Sequence, residues 1–439
     1  MTFASVPLRR VVRFVRNGLV IDQSAGSGGL PITRIETISE GFVDPQRVGY
    51  ADLTSPPPGD YLLQAGDILY SHINSYDRVG KVAQYRGTPP KLIHGMNLLN
   101  VRPDEDRISS RYLFYALSSE SVAAATRPLV NKAVNQASIS GSAVMSVTVP
   151  LPPLDVQRRI VDFLEDQVAF LDRAVGMRSD QLALAEDRIR AVTTEEVSGL
   201  GVRSSTEATG SEWFPRLPPN WDIVSLGRLC SGVSDGPHFS PDYVDREDGY
   251  LFLSARNVKI DRWSLDDAKY ISADDYAEFS KRVKPMIGDV LYTKGGTTGV
   301  ARVVDLEERF QVWVHVAVLK IRGNLAMPEF IACALNSAPC YAQSQLFTRG
   351  ATNNDLGLTR MVRIRLPLPP MKDQAVIVDR VAAATQFSAE FRHRVALQMR
   401  LLDDRKKSLI TAAVTGEFDV STASSRAAEV ALSGIGGGL

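Results

Sequence analysis

Two stretches of the chain carry apolar residues at alternating three- and four-residue steps, which is the spacing of one helix face. In the first stretch, from residue 155 to about residue 199, the steps fall on Ile160, Leu164, Val168, Leu171, Val175, Leu182, Ile189 and Val192, with Arg178 and Ala185 at the two remaining steps. In the second stretch they fall on Ile377, Val381, Ala384, Ser388, Phe391, Val395, Gln398, Leu402, Arg405, Leu409 and Ala412. Stripes of this length predict two helices that pack as a coiled coil, each of about 40 residues and roughly 60 Å.

The two stretches are copies of one segment. Residues 150–199 recur at 367–416, so Pro150-Leu151-Pro152-Pro153 matches Pro367-Leu368-Pro369-Pro370, and Gln157 matches Gln374. A duplicated chain folds most simply into two similar halves about a pseudo-two-fold axis. We therefore expect the helices to pair antiparallel with a globular block at each end, an arrangement suited to reading a two-part target.

The first block (residues 1–149) and the second block (219–366) have the pattern of α/β (α+β) domains, because short apolar runs alternate with Gly-, Pro- and Ser-rich turns. In the first block the pattern predicts strands over 11–20, 68–70 and 144–149 and a helix over 110–125. A spacer helix at 150–202 and a polar linker at 203–218 separate the blocks. A second spacer helix is expected at 367–420, and the tail 421–439, rich in Ala, Ser and Gly, is expected to be disordered.

Composition narrows the class of protein. No run of 18 apolar residues is present, and arginines interrupt the apolar N-terminus, so we expect neither a membrane span nor a signal peptide. The three cysteines show no CxxC pair and the five histidines show no ligand spacing, which favours a cytoplasmic protein without a metal site. Lys plus Arg and Asp plus Glu each number 50, so any basic surface for nucleic acid must be local.

At several motifs the chain resembles the specificity subunit of a type I restriction–modification system. They are the paired Pro-Leu-Pro-Pro-x3-Gln-x2-Ile helix entries, Ala412-Ala413-Val414-Thr415-Gly416-Glu417-Phe418-Asp419-Val420, Pro219-Asn220-Trp221-Asp222, Leu226-Gly227, Asp235-Gly236-Pro237-His238, Gly66-Asp67-Ile68-Leu69-Tyr70 and Gly288-Asp289-Val290-Leu291-Tyr292. The first block lacks the Trp-Asp opening and the Asp-Gly-x-His tetrapeptide. The resemblance depends on the order and duplication of the motifs that are present, which extend over nearly the whole chain.

The resemblance implies two target-recognition domains, each binding one half of a split, asymmetric DNA sequence, with the helices setting the unread gap. It also implies partners: two modification subunits that methylate adenine with S-adenosylmethionine, and motor–nuclease restriction subunits that use ATP and Mg. The chain itself is then non-catalytic and carries no cofactor. The sequence agrees, because it contains neither an Asn/Asp-Pro-Pro-aromatic motif nor a G-x-x-x-x-G-K-[ST] loop.

Three stretches without acidic residues, at 78–94, 121–154 and 330–354, could hold DNA, because phosphate contacts use Lys and Arg and base readout uses Arg, Asn and Gln. With a lysine in the loop 293–299, the candidates are Arg78, Lys81, Arg86, Lys91, Lys132, Asn135, Gln136, Lys294, Arg349, Thr352, Asn353 and Asn354. Lys132 and Arg349 occupy equivalent positions of the duplication. The alternatives are ordinary surface charges, a simple turn at Asn353-Asn354, and a turn-shaping role for Asp235 and His238.

The helical stripes predict a helix or subunit interface rather than a DNA site. Its candidates are Gln157, Ile160, Leu164, Leu171, Gln374, Ile377, Val381, Phe391 and Leu402. The alternative function is a coiled-coil scaffold whose two blocks bind proteins; the neutral charge favours it and the acid-free loops oppose it. An undetected enzyme ranks third.

Overall fold

The computed structural model describes residues 3–24, 29–38, 41–53, 57, 59–133, 136–202, 205–350 and 355–420. The chain forms two compact units. Unit one is Met1–Met177 with Gln398–Leu439, and unit two is Arg178–Leu397. Each unit therefore contains one block, the beginning of one long helix and the end of the other.

Unit one is built on a four-stranded antiparallel sheet in the order β2-β9-β6-β8, and a small sheet β10-β11-β7 lies at the end of β6. The strands are β1 Ser5–Pro7, β2 Val12–Asn17, β3 Gln23–Ser24, β4 Leu30–Ile32, β5 Gly49–Ala51, β6 Ile68–Ser71, β7 Ile73–Asn74, β8 Val82–Gln84, β9 Leu98–Pro103, β10 Asn131–Ala133, β11 Gln136–Ser138 and β12 Thr148–Pro150. The helices are α1 Ser110–Ser118, α2 Glu120–Thr126, α3 Gly141–Ser146 and the long α4 Leu154–Val197, which continues into unit two.

Unit two repeats this plan, with a central sheet in the order β16-β23-β20-β21. Its strands are β13 Glu207–Ala208, β14 Arg216–Leu217, β15 Asp222–Ser225, β16 Cys230–Asp235, β17 Tyr243–Val244, β18 Tyr250–Leu253, β19 Lys269–Ile271, β20 Val290–Thr293, β21 Ala301–Val303, β22 Phe310–Val312, β23 Val316–Ile321 and β24 Arg365–Leu368. The helices are α5 Leu226–Leu229, α6 Ala273–Arg282, α7 Pro328–Asn336, α8 Ala338–Phe347, α9 Leu358–Met361 and the long α10 Met371–Thr415, whose end belongs to unit one. The matching strand orders confirm the internal repeat.

In both blocks a glycine follows the first strand of the central sheet, which is β2 in the first block and β16 in the second. The reason is that the chain passes close to another backbone segment there. A Cβ at Gly18 would lie 1.9 Å from the carbonyl oxygen of Gly95, and one at Gly236 would lie 1.9 Å from that of Val312. No side chain fits at such distances, so only glycine lets the backbone approach this closely. The same packing constraint thus survives in two blocks whose sequences have diverged.

The long helices run antiparallel within each unit. In unit one the rings of Phe163 and Phe418 lie 5.5 Å apart, and Lys406 donates to Asp172 at 2.6 Å. In unit two Arg380 pairs with Glu196 at 3.3 Å, and Glu186 interacts electrostatically with Arg392. In each unit, rising residue numbers on α4 therefore meet falling numbers on or just after α10, which confirms antiparallel pairing.

The predicted stripe on α10 is wrong at its last polar steps. Gln398 and Arg405 are exposed, whereas Met399 and Lys406 are partly buried, so these two steps fall one residue later than predicted while Leu402 and Leu409 keep their predicted place. The physical reason is that 3.6 residues per turn do not match a strict seven-residue repeat, and a straight helix drifts by ~20° per heptad. The slip brings Lys406 to Asp172.

Two predicted elements and the linker also differ from the structure. The helix expected over 110–125 is two helices, because Ser119 breaks the first and caps the second by accepting from Val122 at 3.4 Å. The strand expected over 144–149 begins as α3 and becomes extended only at β12, which pairs with β1. The predicted linker forms β13 and β14, and Phe214 and Leu217 from it are buried in the core of unit two.

Candidate nucleic-acid interface

In each block one buried glutamine joins the block by hydrogen bonds to the long helix that follows it in the chain, and the two glutamines occupy equivalent positions of the duplication. Gln157 is fully buried; its Oε1 accepts from the Ser109 amide at 2.8 Å, and its Nε2 donates to the carbonyls of Pro152 at 2.8 Å and Arg107 at 3.3 Å. Gln374 is also fully buried and makes the same three bonds in unit two, to Met327, Pro369 and Leu325. These glutamines therefore join each block to its helix, and their place in an interface with another subunit stays a prediction.

Each block also forms a hydrogen bond with the C-terminal part of the other long helix, which is α10 for the first block and α4 for the second. Thr411 of α10 accepts from the Glu120 amide at 3.0 Å in unit one. Thr194 of α4 accepts from the Ala338 amide at 2.8 Å in unit two. Each amide lies in the first turn of a short helix, where it has no intrahelical partner. The two blocks are therefore held by corresponding contacts, although their exposed surfaces differ.

Most remaining interface candidates are buried within a unit. Ile160 and Leu164 belong to the core of the first block, and Ile377 and Val381 belong to the core of the second. Leu171 is buried, Leu402 is partly buried, and Phe391 lines a groove of ≈460 Å³ between α4 and α10 in unit two. Burial in the fold explains their apolar character, and their role toward a subunit stays a prediction.

The structure gathers several predicted DNA contacts of the first block around the loop that joins β7 to β8. Arg78 and Lys81 lie in this loop, are exposed, and line a surface cavity of ≈150 Å³ that also contains Asn74 and Glu36. Lys132, in the β10–β11 hairpin, places its Nζ 3.8 Å from the ring centroid of Tyr76. Because β7 pairs with β11, the loop and the hairpin form one exposed basic surface.

The other candidates of the first block lie elsewhere or outside the described residues. Arg86 and Lys91 are exposed but follow the far end of β8, so they are not part of the surface formed by Arg78, Lys81 and Lys132. Gln136 is exposed in the hairpin. Asn135 lies outside the described residues.

In the second block the acid-free loop occupies the corresponding place. Leu356 donates to the carbonyl of Lys294 at 2.7 Å, just as Ile139 donates to that of His72 at 2.9 Å. Arg349 is exposed at the neck of this loop, where its backbone pairs with that of Asp355. Thr352, Asn353 and Asn354 lie outside the described residues. Lys132 and Arg349 thus lie on loops at corresponding places of the two blocks, and their contact with DNA stays a prediction.

The expectation of an accessible lysine at position 294 is wrong. Lys294 is only 3% exposed, and its Nζ lies 2.7 Å from Asp355 Oδ1 and 3.4 Å from Asp235 Oδ2. A buried ammonium needs such partners because burial without them is very costly. Phosphate would have to compete with two carboxylates already in place.

The sequence did not predict a role for Arg282, the last residue of α6, at this site. Its guanidinium donates to both the side chain and the main chain of Asp235. The Asp235-Gly236-Pro237-His238 motif marks this site in the sequence, but it does not predict that Arg282, 47 residues away, pairs with Asp235. Asp235 is buried, as a turn-shaping residue would be, while His238 is 65% exposed with its Nε2 3.8 Å from Asp235.

Two properties of the described residues bear on metal binding and on thiol reactivity. No cluster of three or more His, Cys, Asp or Glu side chains with metal-ligand geometry occurs there. Burial raises the pKa of the Cys230 and Cys340 thiols to about 12, the opposite of what a reactive thiolate requires. Across the same residues, none of the helices combines the length and apolar character needed to cross a bilayer.

Comparison with known proteins identifies the family. The model of the type I restriction modification DNA specificity domain matches twice, at residues 7–173 and 218–393. The chain belongs to the type I specificity subunits. Each match covers one block and the beginning of the helix that follows it, so the family's repeated domain coincides with the internal duplication of this subunit.

Similar proteins agree with this assignment. A putative type I restriction enzyme MjaX specificity subunit of Methanocaldococcus jannaschii is 28% identical over 94% of this chain and 93% of its own length. The EcoKI specificity subunit of Escherichia coli K12 is 26% identical over 45% of this chain and 43% of its own length. A solved structure from work on complex assembly and conformational transition of the type I R-M system aligns at 17% identity with a TM-score of 0.61, covering 95% of this chain and 98% of that one. The last similarity concerns the fold.

Proposed function

We propose that this specificity subunit binds a bipartite, asymmetric DNA sequence, with one half read by each block, and directs adenine methylation and restriction by partner subunits. The main support is that the loops at Lys132 and at Arg349 lie at corresponding places on two blocks that share one fold. The basic surface of Arg78, Lys81 and Lys132 suits phosphate and base edges. Membership of the family supports the DNA ligand.

In this proposal the chain performs no chemistry. Two modification subunits supply the methyltransferase with S-adenosylmethionine, and restriction subunits supply the ATP- and Mg-dependent motor and nuclease. The raised pKa of the buried Cys230 and Cys340 thiols agrees with this, because a thiol nucleophile needs a lowered pKa. A protein-binding scaffold gains no support from any particular contact in the described residues.

The test is selection from a randomised duplex library by the complex of this chain with modification subunits. We expect two short motifs separated by a fixed unread gap. Lys132→Ala should weaken selection of one motif and Arg349→Ala the other, because each residue lies in a different block. Loss of a base contact costs ~1–3 kcal/mol, or roughly 5- to 150-fold in discrimination. A single contiguous motif, or equal damage to both motifs by either variant, would refute the proposal.

A further inference from the structure

Three separate chain segments of the second block end at one buried ammonium. Lys294 follows β20, Asp235 is the last residue of β16, and Asp355 closes the loop that begins at Arg349. The Lys294 Nζ lies 2.7 Å from Asp355 and 3.4 Å from Asp235. Arg282 completes the group by pairing with Asp235, so two cations balance two carboxylates.

The segments joined at Lys294 carry exposed side chains of the kind that contact DNA. Immediately after Asp235 the chain turns through Gly236 to His238 and Phe239, which are exposed. On the other side, Asp355 exchanges two backbone hydrogen bonds with Arg349, at 3.0 and 3.1 Å. A shift at the Lys294 group would therefore move both the 236–239 turn and the neck of the loop at Arg349.

The first block holds its equivalent loop in a different way. His72 stands where the second block has Lys294, and Ser138 stands where it has Asp355, as the matching backbone bonds show. There the hairpin is tied to β7 by two residue pairs, Ala137 with Asn74 and Ser138 with Ile73. In the second block the backbone of Gly295 pairs with that of Asp355 at the corresponding place. The ion pair between Lys294 and Asp355 adds a side-chain contact to this backbone pairing.

We propose that Lys294 is a positioning residue that fixes the 236–239 turn and the backbone pair of Arg349 and Asp355 against each other and so sets which bases the second block selects. The inference rests on the proposed function and deepens it. An ion pair buried on the lysine side is directional and costly to break, which makes it suited to hold a loop in one geometry. Lys294 itself touches no base in this arrangement.

The variant that tests this is Asp355→Asn in the full chain with modification subunits. The Asp355 side chain is about one-third exposed, and Lys294 keeps Asp235 as a partner, so the fold should tolerate the change. Asp355→Glu, which retains the charge, is the rescue variant. Asp305→Asn is the matched control, because it removes a more exposed carboxylate that pairs with Arg302 at 2.9 Å in the same block.

Two measurements are made. In DNA-free protein, amide hydrogen exchange at Arg349 and Leu356 should be at least about tenfold faster in Asp355→Asn than in wild type, since local opening governs exchange. In library selection, discrimination in the second motif should fall at least about fivefold, the lower end of one base contact, while the first motif is unchanged. Asp355→Glu should recover both properties and Asp305→Asn should affect neither.

The outcomes separate the inference from the function on which it rests. Exchange and second-motif discrimination that both stay at wild-type values in Asp355→Asn would overturn the inference alone. Equal loss in both motifs, or no recovery in Asp355→Glu, would also overturn it by indicating a general defect. A wild-type complex that selects no second motif would instead contradict the proposed function, and the assignment of Lys294 to specificity would fall with it.

Discussion

Replacing Gln374 by alanine tests whether the buried glutamines hold each block on its helix. The amide of Gln374 accepts from Met327 and donates to Pro369 and Leu325 at 2.8, 2.9 and 3.2 Å. Alanine leaves all three backbone groups without this partner in a site that is fully buried in the native fold. The expected effect is a loss of stability in unit two rather than a change in DNA contacts.

The magnitude follows from those three bonds. An unsatisfied buried group costs ~1–3 kcal/mol, and a carbonyl costs less than an N–H because it has a second lone pair. Water entering the space left by the side chain would recover part of this, so we expect a loss of about 2–5 kcal/mol in the free energy of unfolding. For a unit of this size each kcal/mol lowers Tm by roughly 2–4 °C, which gives a drop of roughly 4–20 °C.

The assay combines thermal unfolding with hydrogen exchange. Faster exchange in Gln374→Ala should be concentrated around the Met327 amide, because that N–H loses its acceptor. Gln386→Ala is the matched control, because Gln386 is an exposed glutamine on the same helix that donates to Glu390, and it should change stability by less than about 0.5 kcal/mol. If Gln374→Ala behaved like Gln386→Ala, the assigned role of the buried amide would be refuted.

Two further predictions concern the first block. Removing Arg78 or Lys81 should lower the slope of log affinity against log salt by about 1 each, while Arg9→Ala leaves it unchanged; anisotropy titrations over a KCl series measure this. Burial lowers the pKa of His94 to about 4, so its stabilising contribution is complete above about pH 6.5 and is lost as pH falls toward 4. His94→Gln should flatten the stability profile in that window, and an unchanged profile would contradict the assignment.

The duplication in the sequence predicted much of the fold because its signals are local or periodic. Pro-Leu-Pro-Pro entries mark where each long helix begins, and the apolar stripes mark the faces that pack together. The stripe failed only where the helix drifted, at Gln398 and Arg405. The repeat also aligns Lys132 with Arg349 in the sequence, and the loops that carry them lie at corresponding places of the two blocks.

The partners of Lys294 could not be predicted in the same way. Its ammonium bonds Asp355, which is 61 residues away in the sequence, and no local pattern joins the two. A lysine after a strand in a glycine-rich segment has the sequence of an exposed loop residue. Only the tertiary arrangement of β16, β20 and the Arg349 loop turns it into the centre of an ion-pair group.

A comparison of the two blocks shows which contacts are the same in both and which differ. Gln157 and Gln374 make the same three bonds, because an altered buried amide would leave backbone groups unsatisfied. At the loops the equivalent positions carry His72 in one block and Lys294 in the other, since each loop needs only some tie to the central sheet. The loop at Arg349 is held by side-chain charges in addition to its backbone bridge, and the loop at Lys132 is held by strand pairing. New specificity can therefore arise by replacing what lies beyond the anchors while the attachment to the helices is retained.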